Sequence, residues 1–350
     1  MSLSIAVVGA GRMGKLHARV ISEMPDAELA AVVDAQSAVA EAVARQRQCP
    51  HFSRAEDAVA VADAAIIAVP TVEHVRVAEP FVRAGKPVLI EKPLSNDSAQ
   101  ARKLLDLARQ HGTAIHVGHT ERFNPAVRAM QKHAIRPKFI EAHRISPFTF
   151  RSADVGVVLD MMIHDLDLVL KLAEGKVTEI RAVGINVIGP HEDICNARLV
   201  FDNGCVANVT ASRLAIKTER KMRLLSEEAY LSVDYARKVG LVASKSQNLD
   251  LIQMARERDV EDLAELAETV DYAKLLHVEE LTVDDSSEPL QGQARAFVDS
   301  IVNNAPPAVP AEDGLAALEL AEQIVDSIKA HRWDGDASSR QGLDILSREG

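Results

Sequence analysis

The sequence predicts an α/β fold in two parts: a doubly wound parallel sheet, then an α+β unit carrying a large, mainly antiparallel, open-faced sheet. Three observations carry this. Short apolar runs alternate with helix-spaced segments through the first 120 residues. A Gly9-Ala10-Gly11-Arg12-Met13-Gly14 turn joins the first run to the first helical segment. Beyond residue 120, strand-like runs mostly follow one another without intervening helices, the signature of antiparallel pairing. A chain of 350 residues has the length of two domains, with expected bounds 4–122 and 123–332.

Taken in order, Ser4–Val8, Leu29–Val33, Ala64–Val69, Val88–Ile90 and Ala114–Val117 read as buried strands. Met13–Glu23, Ser37–Arg47, Val72–Arg83 and Asp97–Gln110 have helical spacing between them, as crossovers of a parallel sheet covered on both faces. A long helix is expected over Gly156–Ala173. Strands follow at Val177–Ile188, Ile194–Phe201, Cys205–Ser212, Lys221–Ser226, Tyr230–Val233 and Val239–Ala243, with Asp202-Asn203-Gly204 as a hairpin turn. Arg256–Thr269 reads as an acidic helix and Leu275–Val283 as a further strand. Two amphipathic helices, Leu290–Val302 and Gly314–Ala330, close the pattern, the second expected to pack back towards the first domain.

Forty basic against 51 acidic residues leave a net charge of −11. A surface that grips a phosphodiester backbone leaves a basic imprint, so no nucleic-acid partner is expected. No apolar run approaches the ~18 residues of a membrane span, and Met1–Val8 shows neither a basic segment nor a cleavage site. Cys49, Cys195 and Cys205 form no CxxC pair, which fits reduced thiols in a cytoplasm.

Chemistry enters with the glycines. Gly9 permits the tight turn, Gly11 lets backbone approach a pyrophosphate, and Gly14 lets helix and strand pack closely, with phosphates at a helix N-terminus. Asp34, twenty residues after Gly14, can accept from the adenosine ribose hydroxyls. A 2′-phosphate there would meet like charge, and Ala35-Gln36-Ser37 supplies no arginine, so NAD is expected over NADP. Three further segments end parallel strands, where such sheets bind ligands: Ala68-Val69-Pro70 leading to His74, Glu91-Lys92-Pro93, and Gly118 to Pro125. Around the cofactor we therefore expect Gly9, Gly11, Arg12, Met13, Gly14, Asp34, Val69, Pro70, His74, Glu91 and Lys92.

On a regular helix, Gly156, Asp160, His164 and Asp167 would lie within an arc of roughly 80°. They would form an acid–His–acid face on an otherwise apolar element. Asp and His at i, i+4 can ligate zinc, but no third ligand set is evident and no metal is expected.

The glycine turn, Asp34, Glu91-Lys92-Pro93 and the Gly156-x₃-Asp160-x₃-His164-x₂-Asp167 pattern together resemble the glucose-fructose oxidoreductase/inositol dehydrogenase/MocA (Gfo/Idh/MocA) family. The resemblance spans nearly the whole chain. It implies a Rossmann domain, a catalytic trio of Lys92, Asp160 and His164, a cis Lys92–Pro93 bond, and a second sheet serving substrate binding and assembly into a homodimer or homotetramer. The stretch Asn248–Asp271 is longer and more helical than the family's usual connection. Leu159 to Asp167 is spelled most like members that oxidise the 3-position of UDP-N-acetylglucosamine.

The expected activity is NAD-dependent oxidation of a secondary alcohol on a sugar, nucleotide sugar or polyol. His164 would take the hydroxyl proton, Asp160 would orient the imidazole and raise its pKa, and Lys92 would stabilise the alkoxide. Lys92, Arg122, Asp160 and His164 are the expected substrate contacts. A diphosphate would call on Arg122, Arg144, Arg151 or Arg213. Alternatives are an inositol dehydrogenase, a reductase of a non-sugar carbonyl, or a dinucleotide sensor without turnover.

Overall fold

The structure is a computed structural model, and residues 2–133, 135–149, 155–188, 190–245, 276–286 and 288–331 are described. Six parallel strands form the first sheet: β1 (Leu3–Val8), β2 (Ala27–Val33), β3 (His51–Phe52), β4 (Ala64–Ile67), β5 (Val88–Glu91) and β6 (Ile115–Gly118). Their order is β3-β2-β1-β4-β5-β6. Chain direction across the sheet reverses between β1 and β4, and ligands of such sheets bind in that crevice. Crossovers are α1 (Arg12–Ser22), α2 (Ser37–Arg47), α3 (Ala55–Val59), α4 (His74–Arg83) and α5 (Ser98–His111). The strands β4 and β5 are buried at every position, as a sheet covered on both faces requires. The edge strand β3 and the five-residue α3 are too short to leave a periodic signal, and the sequence reading passed over both.

The second sheet has eight strands: β7 (Phe139–Ile145), β8 (Val177–Ile185), β9 (Ile194–Phe201), β10 (Val206–Ser212), β11 (Glu219–Leu225), β12 (Ala229–Asp234), β13 (Val239–Lys245) and β14 (Leu276–Glu280). The order is β14-β13-β12-β11-β7-β10-β9-β8. The β7–β10 pair is parallel, and the other pairs are antiparallel. One face carries the core, with Ile140, Ala142, Leu199, Val209, Met222 and Leu231 buried. The other presents Glu141, His143, Asn196, Arg198, Lys221 and Arg223, none of them buried, so the sheet is open-faced.

Two expectations change here. The strand begun at Val177 stops at Ile185, because Asp193 accepts from the Val187 and Ile188 amides and folds the chain into a turn. The long helix also does not run regularly from Gly156. Val158–Met162 is a π-turn, and the α-helix proper, α7, is Ile163–Ala173. The short α6 (Pro125–Gln131), capped by the Asn124 side chain, was likewise unforeseen. The expected helix Arg256–Thr269, with the whole Asn248–Asp271 stretch, lies outside the described residues.

The last two helices, α8 (Pro289–Val302) and α9 (Ala311–Ala330), return to the first sheet. From α8, Leu290, Ala294, Phe297 and Val298 complete the apolar layer beneath α1 and α2. Val309, Ala311 and Leu318 join the layer on the opposite face, while Leu320, Ala321, Ile324 and Ile328 join the core of the second sheet. A side chain at Gly314 would collide with Val117 of β6, so α9 crosses that strand at close range.

Candidate active site

Gly9 sits at φ +99°, and a Cβ there would strike the carbonyl of Ala68 at the end of β4. A Cβ on Gly14 would overlap the carbonyl oxygen of Gly9, which is why α1 can start directly behind the turn. Nothing lies within 4 Å of the missing Cβ of Gly11. That glycine is the N-cap of α1 and leaves its backbone open to a phosphate. At the end of β2, Asp34 accepts from the amides of Ala10 (2.8 Å) and Gln36 (2.9 Å). Each carboxylate oxygen keeps a further lone pair for ribose hydroxyls. An open cradle, a helix N-terminus and an anchored carboxylate together fit a dinucleotide.

At the end of β5 the Lys92–Pro93 bond is cis. Lys92 Nζ donates to the Asp160 backbone carbonyl (2.6 Å) and reaches its carboxylate at 3.4 Å. Burial pushes the Lys92 pKa down, while Asp160 and Glu91 oppose that shift. Glu91 is buried and lies 2.6 Å from Nε2 of His17, a fully buried residue on α1. A Cβ at Gly118 would lie 3.0 Å from the other Glu91 oxygen, so that glycine makes room for the carboxylate. His74 ties the two strand-end loops together, its ring nitrogens 2.9 Å from the carbonyl of Pro93 and 3.0 Å from that of Val69.

His164 is half-buried, and its Nδ1, shielded from solvent, has no partner among the described residues. Its pKa is held well below 6.5, first by burial and then by the nearby cations Lys92 and Arg144. The expectation that Asp160 would raise this pKa is therefore corrected: the Asp160 carboxylate faces Lys92 instead. The acid–His–acid face is also broken up, because the π-turn changes the rotation per residue ahead of α7. Met13, Val69, Pro70, His74, Glu91 and Lys92 line the same cleft of about 910 Å³ as Asp160 and His164.

Residues 3–119 match the model of an oxidoreductase family with an NAD-binding Rossmann fold, and residues 127–232 match the GFO/IDH/MocA C-terminal domain. The UDP-N-acetylglucosamine 3-dehydrogenase of Acidithiobacillus ferrooxidans is 36% identical over 230 residues, 65% of this chain and 73% of that protein. The chain belongs to the Gfo/Idh/MocA oxidoreductase family. An inositol 2-dehydrogenase of Rhizobium meliloti is 30% identical over 347 residues, 95% of this chain and 98% of that one. The solved structure of the Acidithiobacillus enzyme superposes with a TM-score of 0.83 at 28% identity, covering 93% of this chain and 97% of its own. As in the rest of the family, the parallel sheet is the NAD-binding part.

Within this Gfo/Idh/MocA chain, the arginines nominated for substrate are differently placed. Arg122 donates from Nε and Nη2 to Asp167 (2.7 and 2.6 Å) and from Nη1 to Asp313 (2.6 Å). It faces a separate cavity of about 390 Å³ and does not line the main cleft. Arg144 is paired bidentately with Asp165 (2.7 and 3.0 Å) and with Glu121 (2.9 Å). Arg213 donates to Asp193 (2.5 Å) and to the carbonyl of Val155 (2.7 Å). Arg151 lies outside the described residues.

The sequence reading missed His191 and Glu192, from the β8–β9 loop, and Val325 and Lys329 of α9, which also line the main cleft. They arrive from a loop and a distant helix, and no local motif marks them. The Glu192 carboxylate accepts from the Val158 amide and fills the space a side chain on Gly156 would need. Among the described residues no cluster of His, Cys, Asp or Glu suits a metal ion.

Proposed function

We propose that this NAD-dependent dehydrogenase oxidises a secondary alcohol on the sugar of a nucleotide sugar of the UDP-N-acetylglucosamine type. The observation that carries the reading is the meeting of Lys92, Asp160 and His164 in one cleft with residues that line the cofactor crevice. NAD, held by the Gly9–Gly14 turn and Asp34, would supply the hydride acceptor for the carbinol carbon. The neutral His164 takes the hydroxyl proton, leaving a ketone, and its lowered pKa keeps it unprotonated at neutral pH. Lys92, held by Asp160, places its ammonium where an alkoxide would develop. The likeness to the Acidithiobacillus enzyme in sequence and structure supports the choice of sugar.

Oxidation of an inositol is the second reading, and one observation favours it: Arg122, Arg144 and Arg213 are already paired with carboxylates. NADH formation with UDP-N-acetylglucosamine, free N-acetylglucosamine and the inositols separates the two. The proposed reading requires UDP-N-acetylglucosamine to be preferred by orders of magnitude in kcat/KM. Comparable rates on the free sugar, or a preference for an inositol, would overturn it.

Two further parts of the reading concern the setting. Three free thiols, Cys49, Cys195 and Cys205, support a reducing cytoplasm. Among the described residues no helix is long and apolar enough to cross a membrane. The open face of the eight-stranded sheet is read as the surface on which copies of the chain pair. Light scattering at micromolar concentration tests this, and a monomer would refute it.

A further inference from the structure

A second cavity of about 460 Å³ adjoins the main cleft and shares Met13, Thr120 and His164 with it. Its wall holds an unusual pairing. Arg144 on β7 and Arg220 on β11 stand directly opposite each other in the antiparallel register. Like charges at such positions repel, and one oxygen of Glu121 lies between them, 2.9 Å from Arg144 and 3.6 Å from Arg220. Arg144 is already committed to carboxylates, with Nε and Nη2 donating to Asp165 and Nη1 to Glu121. The Arg220 guanidinium donates no hydrogen bond to a described residue, its side chain is 45% exposed, and it lines the cavity. Across the cavity, Arg19 of α1 pairs with the exposed Glu288 at 2.7 Å.

From this arrangement we infer that the second cavity holds the diphosphate of the nucleotide sugar, with Arg220 as its main contact. This rests on the nucleotide-sugar reading above. The reacting carbon would sit where the two cavities meet, at His164, and the anionic remainder would extend past Thr120. A guanidinium suits this task because its planar fork donates two parallel hydrogen bonds to a phosphate. Each carboxylate in the cavity already has an arginine: Glu121 has Arg144, and Glu288 has Arg19. An incoming phosphate therefore competes only with the long Glu121 contact for Arg220. A free sugar or an inositol needs no such cation.

The test uses the full chain, loaded with NADH for binding and supplied with NAD for oxidation. UDP binding by calorimetry and UDP-N-acetylglucosamine kinetics are compared for the native protein, R220Q, R220K and K329Q. Lys329 stands at another part of the main cleft and marks the competing location. R220Q is expected to weaken UDP binding and raise KM by roughly 10–100-fold, more than it lowers kcat. R220K should recover part of that loss, and NADH affinity should stay within about threefold. Native oxidation of UDP-N-acetylglucosamine with UDP binding unchanged in R220Q overturns the inference and leaves the nucleotide-sugar reading standing. A rise in KM with K329Q in place of R220Q also overturns it. A native enzyme that oxidises an inositol and ignores UDP-N-acetylglucosamine overturns the reading itself, and the inference with it.

Discussion

Replacing Arg122 with Met decides between two roles for that residue, substrate contact and structural anchor. The structure makes it an anchor. Its guanidinium is 8% exposed, the Asp167 carboxylate it grips is 1% exposed, and both oxygens of that carboxylate are engaged. Removing the arginine leaves Asp167 charged and buried, a change that costs about 3–5 kcal/mol in comparable buried pairs. The Asp313 contact adds less, because that carboxylate is 33% exposed. At about 2 °C per kcal/mol for a chain of this size, R122M should unfold roughly 6–10 °C below the native protein in a thermal scan. KM for the substrate should hardly move in the folded variant. The double variant R122M/D167L should regain most of the lost stability, since apolar replacement of both partners removes the stranded charge. An R122M protein that melts like the native one while substrate KM rises tenfold or more would refute the anchor role.

Three further outcomes follow from the site. Because His164 is held neutral by burial and by nearby cations, kcat/KM for alcohol oxidation should fall on acidification only below pH 6.5; a limb centred above that value would contradict the geometry. H164A should lower kcat by roughly 10²–10⁴ while NADH affinity, read by fluorescence, stays nearly unchanged. With Asp34 anchored by two amides, NAD should bind at least tenfold tighter than NADP, about 1.4 kcal/mol or more, and D34S should narrow that gap; equal affinities in the native protein would count against it.

The parts of this molecule that could be read from sequence are those whose causes are local. Buried parallel strands leave apolar runs, and the glycine turn answers to steric demands met within a few residues, apart from the strand end it touches. Asp34 follows from its place at the next strand end. The π-turn escaped because widening a helical turn by one residue requires no particular side chain. Its effect on Asp160 and Asp167 was therefore invisible to a count at 100° per residue. The strand β7 pairs in parallel with β10, more than sixty residues later, so no adjacent turn announces it. Arg122 looked available because its partners, Asp167 and Asp313, lie 45 and 191 residues away. The pairing of His17 with Glu91 was missed for the same reason, being 74 residues apart.

The return of α8 and α9 to the first sheet has a consequence for how the chain is made. All six parallel strands have left the ribosome once Gly118 is clear. Yet Leu290, Ala294, Phe297 and Val298 are missing from one face of the sheet, and Val309, Ala311 and Leu318 from the other. The 200 residues from 118 to 318 take roughly 10–40 s to synthesise at about 5–20 residues per second. Throughout that interval the nascent sheet exposes apolar surface on both sides, a window in which it depends on protection from its neighbours. The third of the chain translated first is thus among the last parts to finish folding.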